Sequence, residues 1–520
     1  MISEGRNNRL LDNWKCLLIC CVVSMANCQY GFDTAAVAGF QAMIGFLEVF
    51  GYKDAKVKSG WNINTKPQQL ISSFLNVGTI VAVLLGGPFS HKFGRKPAIW
   101  TAAGISMIAC GVQVGADNLA GLYAGRILLG LGNGFFILFS NTYTVEAAPP
   151  QHRAVLASFF GFWVNLGSIL GAVADNYSKN LHSKLAYRIP LASLFAIPFL
   201  LSIFMFFVPE SPRWLLLQNR PEEARKALVK LRGTSLKPEL LSEEFIEMQR
   251  GIEQEKELAS TTSALDMFKG TDRRRTILAA GAIASHAASG VWFTISYSTF
   301  FYQMAGIKKP FQATILQNCL GLVGAMCGMF LMHKVFGRRS MLLIGASGCG
   351  ICMLAIGLLS IAGHSHRAGQ ALVGFALMFS FFYNGFTGTI TWPIAGEVVS
   401  SRLRVFSVGL GTGINYFFNR LISYCTPYFL NANNLNWGAK YGYIWAGSNA
   451  IAFLFFFFLI PETKGRSLEE IDEMFVNRVS RRDFKTYQCV SSERAREIAE
   501  QQVDELSKGG ISVHTEKVPV

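Results

Sequence analysis

Apolar and polar residues alternate along this chain in long blocks rather than at short period. Crossing a bilayer as a helix takes roughly 20 apolar residues, and runs of about that length recur throughout the sequence. Six lie near 14–39, 69–90, 97–116, 120–143, 155–174 and 187–208, and six more near 276–302, 312–334, 341–362, 370–396, 405–430 and 440–460. Three polar stretches interrupt the pattern: a long loop from Gln41 to Lys66, a segment from Pro209 to Arg275, and everything after Pro461. In the middle segment, Pro221-Glu222-Glu223 starts a helix expected to reach Arg232, with proline in the first turn and acids near the N-terminus. A second helix is expected over Pro238 to Leu258. In the tail, helices are expected at Ser467 to Phe475 and near Ser491 to Leu506.

The charged residues that close the apolar runs are repeated. Phe93-Gly94-Arg95-Lys96 returns as Phe336-Gly337-Arg338-Arg339, Glu146 with Arg153 as Glu397 with Arg404, and Pro209-Glu210-Ser211 as Pro461-Glu462-Thr463. Each copy follows its counterpart at a spacing of about 250 residues, the signature of an internal structural repeat. The fold class expected is an all-α membrane protein with twelve transmembrane helices in two pseudo-symmetric six-helix halves. The expected divisions are an N-terminus at 1–13, a first half at 14–208, a helical linker at 209–275, a second half at 276–460 and a tail at 461–520. Two copies of one membrane unit read as a secondary transporter.

Composition agrees with the pattern. The chain has 520 residues, 51% hydrophobic and 16% charged, with 42 Phe and 50 Gly, far from an ordinary soluble protein. Its net charge of +15 sits in alternate short loops, including Lys92, Arg95 and Lys96, then Arg273 to Arg275, then Arg402 and Arg404. That distribution places those loops and both termini in the cytoplasm and argues against nucleic acid as a partner. The 11 Cys fall mostly inside apolar runs with no metal spacing, so no metal is expected. The polar segment Met1 to Asn13 has no cleavable leader pattern. Asn176-Tyr177-Ser178 is a glycosylation sequon, expected in the outward loop after the fifth run.

Gly125-Arg126 followed by Gly130, Gly132 and Gly134 resembles the GRxxxGxGxG run of the sugar porter family of the major facilitator superfamily. Tyr143-Thr-Val-Glu146-Ala-Ala-Pro149 with Arg153, Pro209-Glu-Ser-Pro-Arg-Trp-Leu215, Pro461-Glu-Thr-Lys-Gly465 and Asn415-Tyr-Phe-Phe-Asn419 are similar to that family's other motifs, in the family's order. Tyr297-Ser-Thr-Phe-Phe301, Ser380-Phe-Phe-Tyr-Asn384 and Asn436-Trp-Gly-Ala-Lys440 resemble the fungal maltose and α-glucoside proton symporters. The resemblance implies the major facilitator fold and a sugar substrate. It implies no cofactor, with protons as the coupling ion. The chain departs from the family where an Asp usually precedes the Gly-Arg pair, with His91 and Lys334 standing there instead.

Asp33 lies within the first apolar run. A carboxylate at that depth costs roughly 2.5–3.5 kcal/mol on insertion scales, so it is a functional candidate by default, and Arg126 in the fourth run is its partner. Burial favours the neutral acid and a nearby guanidinium favours the carboxylate, so a movable arginine would make a switchable proton site; the family resemblance implies that coupling role. The alternative is a fixed structural ion pair. Arg95, Glu146, Arg153, Arg338, Glu397 and Arg404 are expected to form a cytoplasmic gate of salt bridges, or else only to set topology.

Sugars need amides for their hydroxyls and an aromatic face for their C–H groups. Aligned on the family, the amides of the seventh run become His286, Ala287 and Trp292, that of the fifth becomes Gly161, and that of the eighth Leu322. Candidate substrate residues are therefore Gly161, His286, Trp292, Asn384, Trp392, Asn415 and Arg420. His286 could bind substrate or only join helices, and Arg420 could meet an anionic ligand, pair with an acid or snorkel. Fewer amides and more aromatic surface suit a bulky ligand. The expected function is proton-coupled import of an α-glucoside or disaccharide across a fungal plasma membrane, by a monomer that is not an enzyme. A transporter of a non-sugar polyol or secondary metabolite, and a sugar sensor, are the alternatives.

Overall fold

The structure is a computed structural model that describes residues 13–54, 60–149, 156, 159–181, 183–233, 238–261, 263–361, 366–400, 402–431, 433–464, 466, 468–481, 483–487 and 489. Arg153 and the tail helix expected near 491–506 lie outside the described residues, as does most of the N-terminus. Among the described residues, twelve membrane helices form two halves. The first half holds α1 (Trp14–Phe40), α2 (Thr65–Phe93), α3 (Arg95–Gly115), α4 (Leu119–Ala147), α5 (Phe159–Ser178) and α6 (Leu185–Phe204). The second holds α7 (Gly270–Met304), α8 (Pro310–Lys334), α9 (Arg338–Leu359), α10 (Arg367–Val398), α11 (Arg404–Leu430) and α12 (Gly442–Leu459).

Ten of the twelve are long and apolar enough to cross a membrane on composition alone. In α5 and α11 polar side chains dilute the apolar ones: Asn165, Ser168 and Asp175 in the first, Asn415, Asn419 and Arg420 in the second. The chain is a multi-pass membrane protein in which these two helices turn their polar residues toward neighbouring helices instead of lipid. Helices α1, α7 and α10 are not uniform. In α7 the helix breaks where Gly290 takes φ +85°, a left-handed conformation that favours glycine. In α10 residues Tyr383–Thr387 form a π-helical turn, a local widening common at functional sites.

Without a hydrophobic drive between helices in lipid, close packing and interhelical hydrogen bonds hold the bundle. The α2–α4 crossing shows how close the approach is. A Cβ on Gly130 would lie 2.0 Å from the Leu75 carbonyl oxygen, and one on Gly78 would lie 2.1 Å from that of Ile127. Gly130 belongs to the run that first marked the family resemblance.

Several boundaries differ from the sequence expectation. The linker was expected to end at Arg275, yet α7 already begins at Gly270. The charged first turns are tolerated because the buried charges are matched, with Arg273 and Arg274 exposed: Asp272 accepts from Arg402 at 2.6 Å, while Arg275 donates to the Val398 carbonyl at 2.8 Å and to Asp472 at 2.5 Å. The loop after α1 is not only polar. It contains a short helix Ile44–Phe50 and a two-strand hairpin pairing Tyr52–Lys53 with Trp61–Asn62. Linker helices Pro221–Arg232 and Pro238–Thr261 form as expected, the second running three residues further. The tail helix Leu468–Val476 buries Ile471, Met474 and Phe475 in one cluster with residues of the second half, so this part of the tail is docked.

The sequon was expected in a loop, but Asn176 sits in the last turn of α5. Its Oδ1 accepts from Lys179 Nζ at 2.6 Å, and the Ser178 hydroxyl is buried against the Asp175 carbonyl. An acceptor asparagine held this way in a helix at the membrane boundary is poorly presented to a transferase. Glycosidase treatment of protein expressed in a eukaryotic host is therefore expected to leave its electrophoretic mobility unchanged; a shift abolished by Asn176→Gln would refute this.

Candidate functional site

At one end of the bundle the repeated signatures assemble into two matching networks. The α3 N-terminus is capped by Glu210, whose carboxylate accepts from the backbone N–H groups of Arg95 and Lys96 at 3.1–3.2 Å. Carboxylates suit a helix N-terminus because they complement its dipole and its unpaired N–H groups. The Arg95 side chain returns a two-pronged bond to Glu146 at 3.0 and 2.7 Å, and Ser211 Oγ donates to the same carboxylate at 2.5 Å. Burial raises the Glu210 carboxyl above its ordinary range, opposed by those backbone donors and by the Arg95 charge. In the second half Glu462 accepts from Arg338 N, Arg338 reaches Glu397 at 3.1 Å, and Thr463 donates to Glu397 at 2.6 Å. Arg95, Glu146 and Glu210 are thus bonded within the first half, and Arg338, Glu397 and Glu462 within the second. Arg404 opens α11 at this same end.

The linker docks on the first half beside that network. Arg232 is buried, bonds Glu244 at 2.6 Å and donates to the Ala147 carbonyl at 2.9 Å. His91, standing where the family usually has an acid, contributes its carbonyl instead, accepting from Trp214 Nε1 and Gln218 Nε2.

Between the halves the bonds are mostly made by asparagine. Asn76 of α2 and Asn419 of α11 exchange bonds at 3.5 and 3.2 Å. Asn165 of α5 donates to Asn384 of α10 at 3.4 Å, and Asn318 of α8 donates to the Ser168 carbonyl at 3.1 Å. At the end away from the arginines, Asn431 bonds Asn62 and the Ile63 carbonyl. There Asn433 also bonds Tyr52 and Asp54, and Asn434 bonds Thr65. These contacts close the end opposite the arginines.

A small, half-enclosed cavity lies at this interface. Tyr30, Ser72, Asn76, Arg126, Trp292 and Asn419 are among its walls. Trp292 offers an aromatic face, and its indole N–H has no hydrogen-bond partner among the described residues. Asp33 stands behind Arg126, fully buried, with its Oδ1 2.5 Å from Nη1. Arg126 Nε is tied to the Ile71 carbonyl at 3.1 Å, and Asp33 Oδ2 has no partner among the described residues. One wall of the cavity is thus a guanidinium whose counter-ion is out of reach of the contents.

The other candidate residues form three separate patches. Gly161 and Asn384 are joined through Asn165, which donates to the Gly161 carbonyl at 2.8 Å. His286 lies 2.5 Å from the Tyr383 hydroxyl, with its ring 5.9 Å from that of the part-exposed Trp392. Arg420 reaches the Ser73 carbonyl across the interface at 3.5 Å, and Asn415 is buried with its Oδ1 unbonded among the described residues. Of the seven substrate candidates only Trp292 lines the cavity. Sequence reasoning missed Tyr30, Ser72 and Asn76 and did not use Asn419 for this purpose. Asn419 was legible, since it closes the Asn415-to-Asn419 motif; Asn76 carried no signal until α11 was placed against α2. The pocket is therefore not short of amides: α2 and α11 supply the pair.

The sequence profile of the family described as "Sugar (and other) transporter" matches residues 19–475. The chain is 29% identical over 490 residues to the major facilitator-type transporter ecdD of Aspergillus rugulosus, covering 91% of this chain and 90% of that protein. It is 30% identical over 482 residues to the general alpha-glucoside permease of Saccharomyces cerevisiae, covering 91% and 77%. Among solved structures, the inward open conformation of the xylose transporter XylE from E. coli superposes with a TM-score of 0.72 at 22% identity, covering 88% of this chain and 99% of that one.

Proposed function

The chain belongs to the sugar transporter family of the major facilitator superfamily, and from that premise we propose that it imports an α-glucoside or disaccharide together with a proton. The observation that carries this reading is the cavity wall formed by Arg126 with Asp33 behind it. Substrate sits at mid-membrane between the halves, its hydroxyls meeting Asn76 and Asn419 and its C–H face meeting Trp292. Protonation of Asp33 weakens its hold on Arg126, and the guanidinium becomes free to follow the substrate or the moving α2. The halves then rock about the fixed site. With the asparagine contacts closing one end, the conformation described has access from the arginine end, which the positive-inside rule assigns to the cytoplasm.

The internal pairs Arg95–Glu146 and Arg338–Glu397 support a gating role of a particular kind. They brace the helix ends within each half, so that each half moves as one body. No covalent chemistry is part of the cycle, no cofactor takes part, and a monomer suffices because the site is built from one chain. The charge bias supports both termini inside, and an importing role suits the plasma membrane. Two relatives' names, an alpha-glucoside permease and a major facilitator-type transporter, frame the substrate question.

The test is uptake of labelled maltose and glucose by proteoliposomes, with and without an inward proton gradient. Maltose accumulation that depends on the gradient is the expected result. Absence of uptake of either sugar by monodisperse protein would overturn the sugar assignment in favour of a non-sugar polyol or metabolite.

A further inference from the structure

The buried polarity around Asp33 does not stop at Arg126. Along α4, Arg126, Asn133, Ser140 and Ala147 follow one another at intervals of seven residues, close to two helical turns, so they share one face. That face meets α1, which runs antiparallel. The Cys16 thiol donates to the Ala147 carbonyl at 3.4 Å, and the Ser24 and Thr144 hydroxyls lie 3.2 Å apart. Asn27 donates to Ser140 Oγ at 3.0 Å, and the Asp33–Arg126 pair follows two turns further on. Between the last two contacts come Gln29 and Asn133. Both are fully buried; neither amide atom of Asn133 has a hydrogen-bond partner among the described residues, and Gln29 has only the Cys110 thiol of α3 beside it.

Buried amides in folded proteins are satisfied by protein groups or by ordered water. Fixing the register of α1 against α4 needs only the bonded pairs, Asn27 with Ser140 and Ser24 with Thr144. Two further buried amides that make no bond between α1 and α4 add no register and make the interior costlier unless they hold water. Of these residues only Arg126 lines the substrate cavity, so beyond the Asp33–Arg126 pair the polar file runs apart from the cavity, along α1 and α4 toward the arginine end. The ionisable groups along it are Asp33 and Arg126 at one end, Cys110 of α3 beside Gln29, and Cys16 and Cys20 with Arg232 and Glu244 at the other.

We infer that α1 and α4 enclose a proton-release route, in which water held by Gln29 and Asn133 takes the proton of Asp33 toward Ser140, Thr144 and the arginine end. This rests on the proton-coupled reading above. The amides position water and do not themselves relay. Water accepts the proton from the Asp33 carboxyl and passes one of its own to the next water or hydroxyl, while Arg126 pairs again with the carboxylate. Substrate leaves by the cavity and the proton by the helix interior, so neither has to wait for the other.

The experiment compares wild type with Gln29→Met and Asn133→Leu, alone and combined, in proteoliposomes. These changes remove hydrogen bonding at nearly constant volume. Sugar-coupled proton uptake is read with a trapped pH indicator, and sugar counterflow at equal pH is read with labelled sugar. Coupled proton uptake is expected to fall at least tenfold with counterflow kept, and Asn133→Ser, which leaves room for water, is expected to restore it. The single variants keep the test available if the double variant does not fold. Undiminished proton uptake in folded variants would overturn the route, and so would equal loss of both activities, the mark of a merely structural role. Wild type that moves sugar with no proton would instead remove the coupling reading, and the route with it.

Discussion

Asp33→Asn is expected to reduce gradient-driven accumulation of substrate to its equilibrium level while leaving counterflow. A tenfold proton gradient is worth about 1.4 kcal/mol per proton, so tight one-to-one coupling supports about tenfold accumulation and an uncoupled carrier none. Asn has nearly the shape of Asp and mimics its protonated state. It keeps an oxygen to accept from Arg126 but cannot release a proton. The same substitution separates coupling from a fixed ion pair. Removing one partner of a buried structural pair typically costs about 3–5 kcal/mol, because Arg126 is 1% exposed and would be left as an unmatched charge. A site that is neutralised in every cycle must instead tolerate the neutral form. Protein that melts near the wild-type temperature, exchanges sugar and does not accumulate it is the expected outcome. Unchanged concentrative uptake would remove Asp33 from the mechanism, and collapse of the folded protein would favour the fixed pair.

Gly130→Leu is expected to abolish transport by separating α2 from α4. A Cβ at Gly130 would meet the Leu75 carbonyl oxygen at 2.0 Å, and that atom belongs to helix backbone, which cannot turn aside as a side chain can. Overpacking of this kind costs typically 1–3 kcal/mol and sometimes more. The displacement also acts on the site. Arg126 lies one turn from Gly130 and is anchored to the Ile71 carbonyl of α2, while Ser72, Leu75 and Asn76 of the same helix line the cavity. Moving α2 outward therefore breaks the anchor and widens the cavity together. Thermal unfolding in detergent should show a large fall in melting temperature, or no monodisperse peak. Gly104→Ala in α3, where a Cβ would meet nothing within 4 Å, is the matched control and should behave as wild type. Normal stability and uptake in Gly130→Leu would show that the crossing is looser than the geometry requires.

The paired networks at the arginine end show which features a sequence makes legible. Glu210 and Glu462, and likewise Arg95 and Arg338, could be matched by position because the chain repeats itself, and each sits beside a helix end where its charge has an obvious use. Their partners were less predictable. Glu146 faces Arg95 because α4 ends where α3 begins, a consequence of how helices α2 to α4 stack. The substrate candidates fared differently. Trp292 was chosen because it stands where the family places an amide, and it does line the cavity. His286 and Trp392, chosen on comparable grounds, meet each other and Tyr383 instead, because the break at Gly290 and the π-turn of α10 rotate their helices by amounts that residue spacing does not encode.

Hydrophobic blocks, their lengths and the charges at their ends determined by themselves that this chain spans a membrane as two related six-helix halves, because lipid leaves no other use for twenty apolar residues in succession. The buried carboxylate and its guanidinium were equally fixed, since a charge at that depth needs a partner and α4 supplies one. Only the tertiary structure decided that Asn76 and Asn419 meet across the interface, that α5 and α11 hide their polar faces, and that Gln29 and Asn133 are both buried. Those outcomes depend on helix rotation and crossing distance, which are set by close contacts such as Gly130 against Leu75, made between residues far apart in the chain.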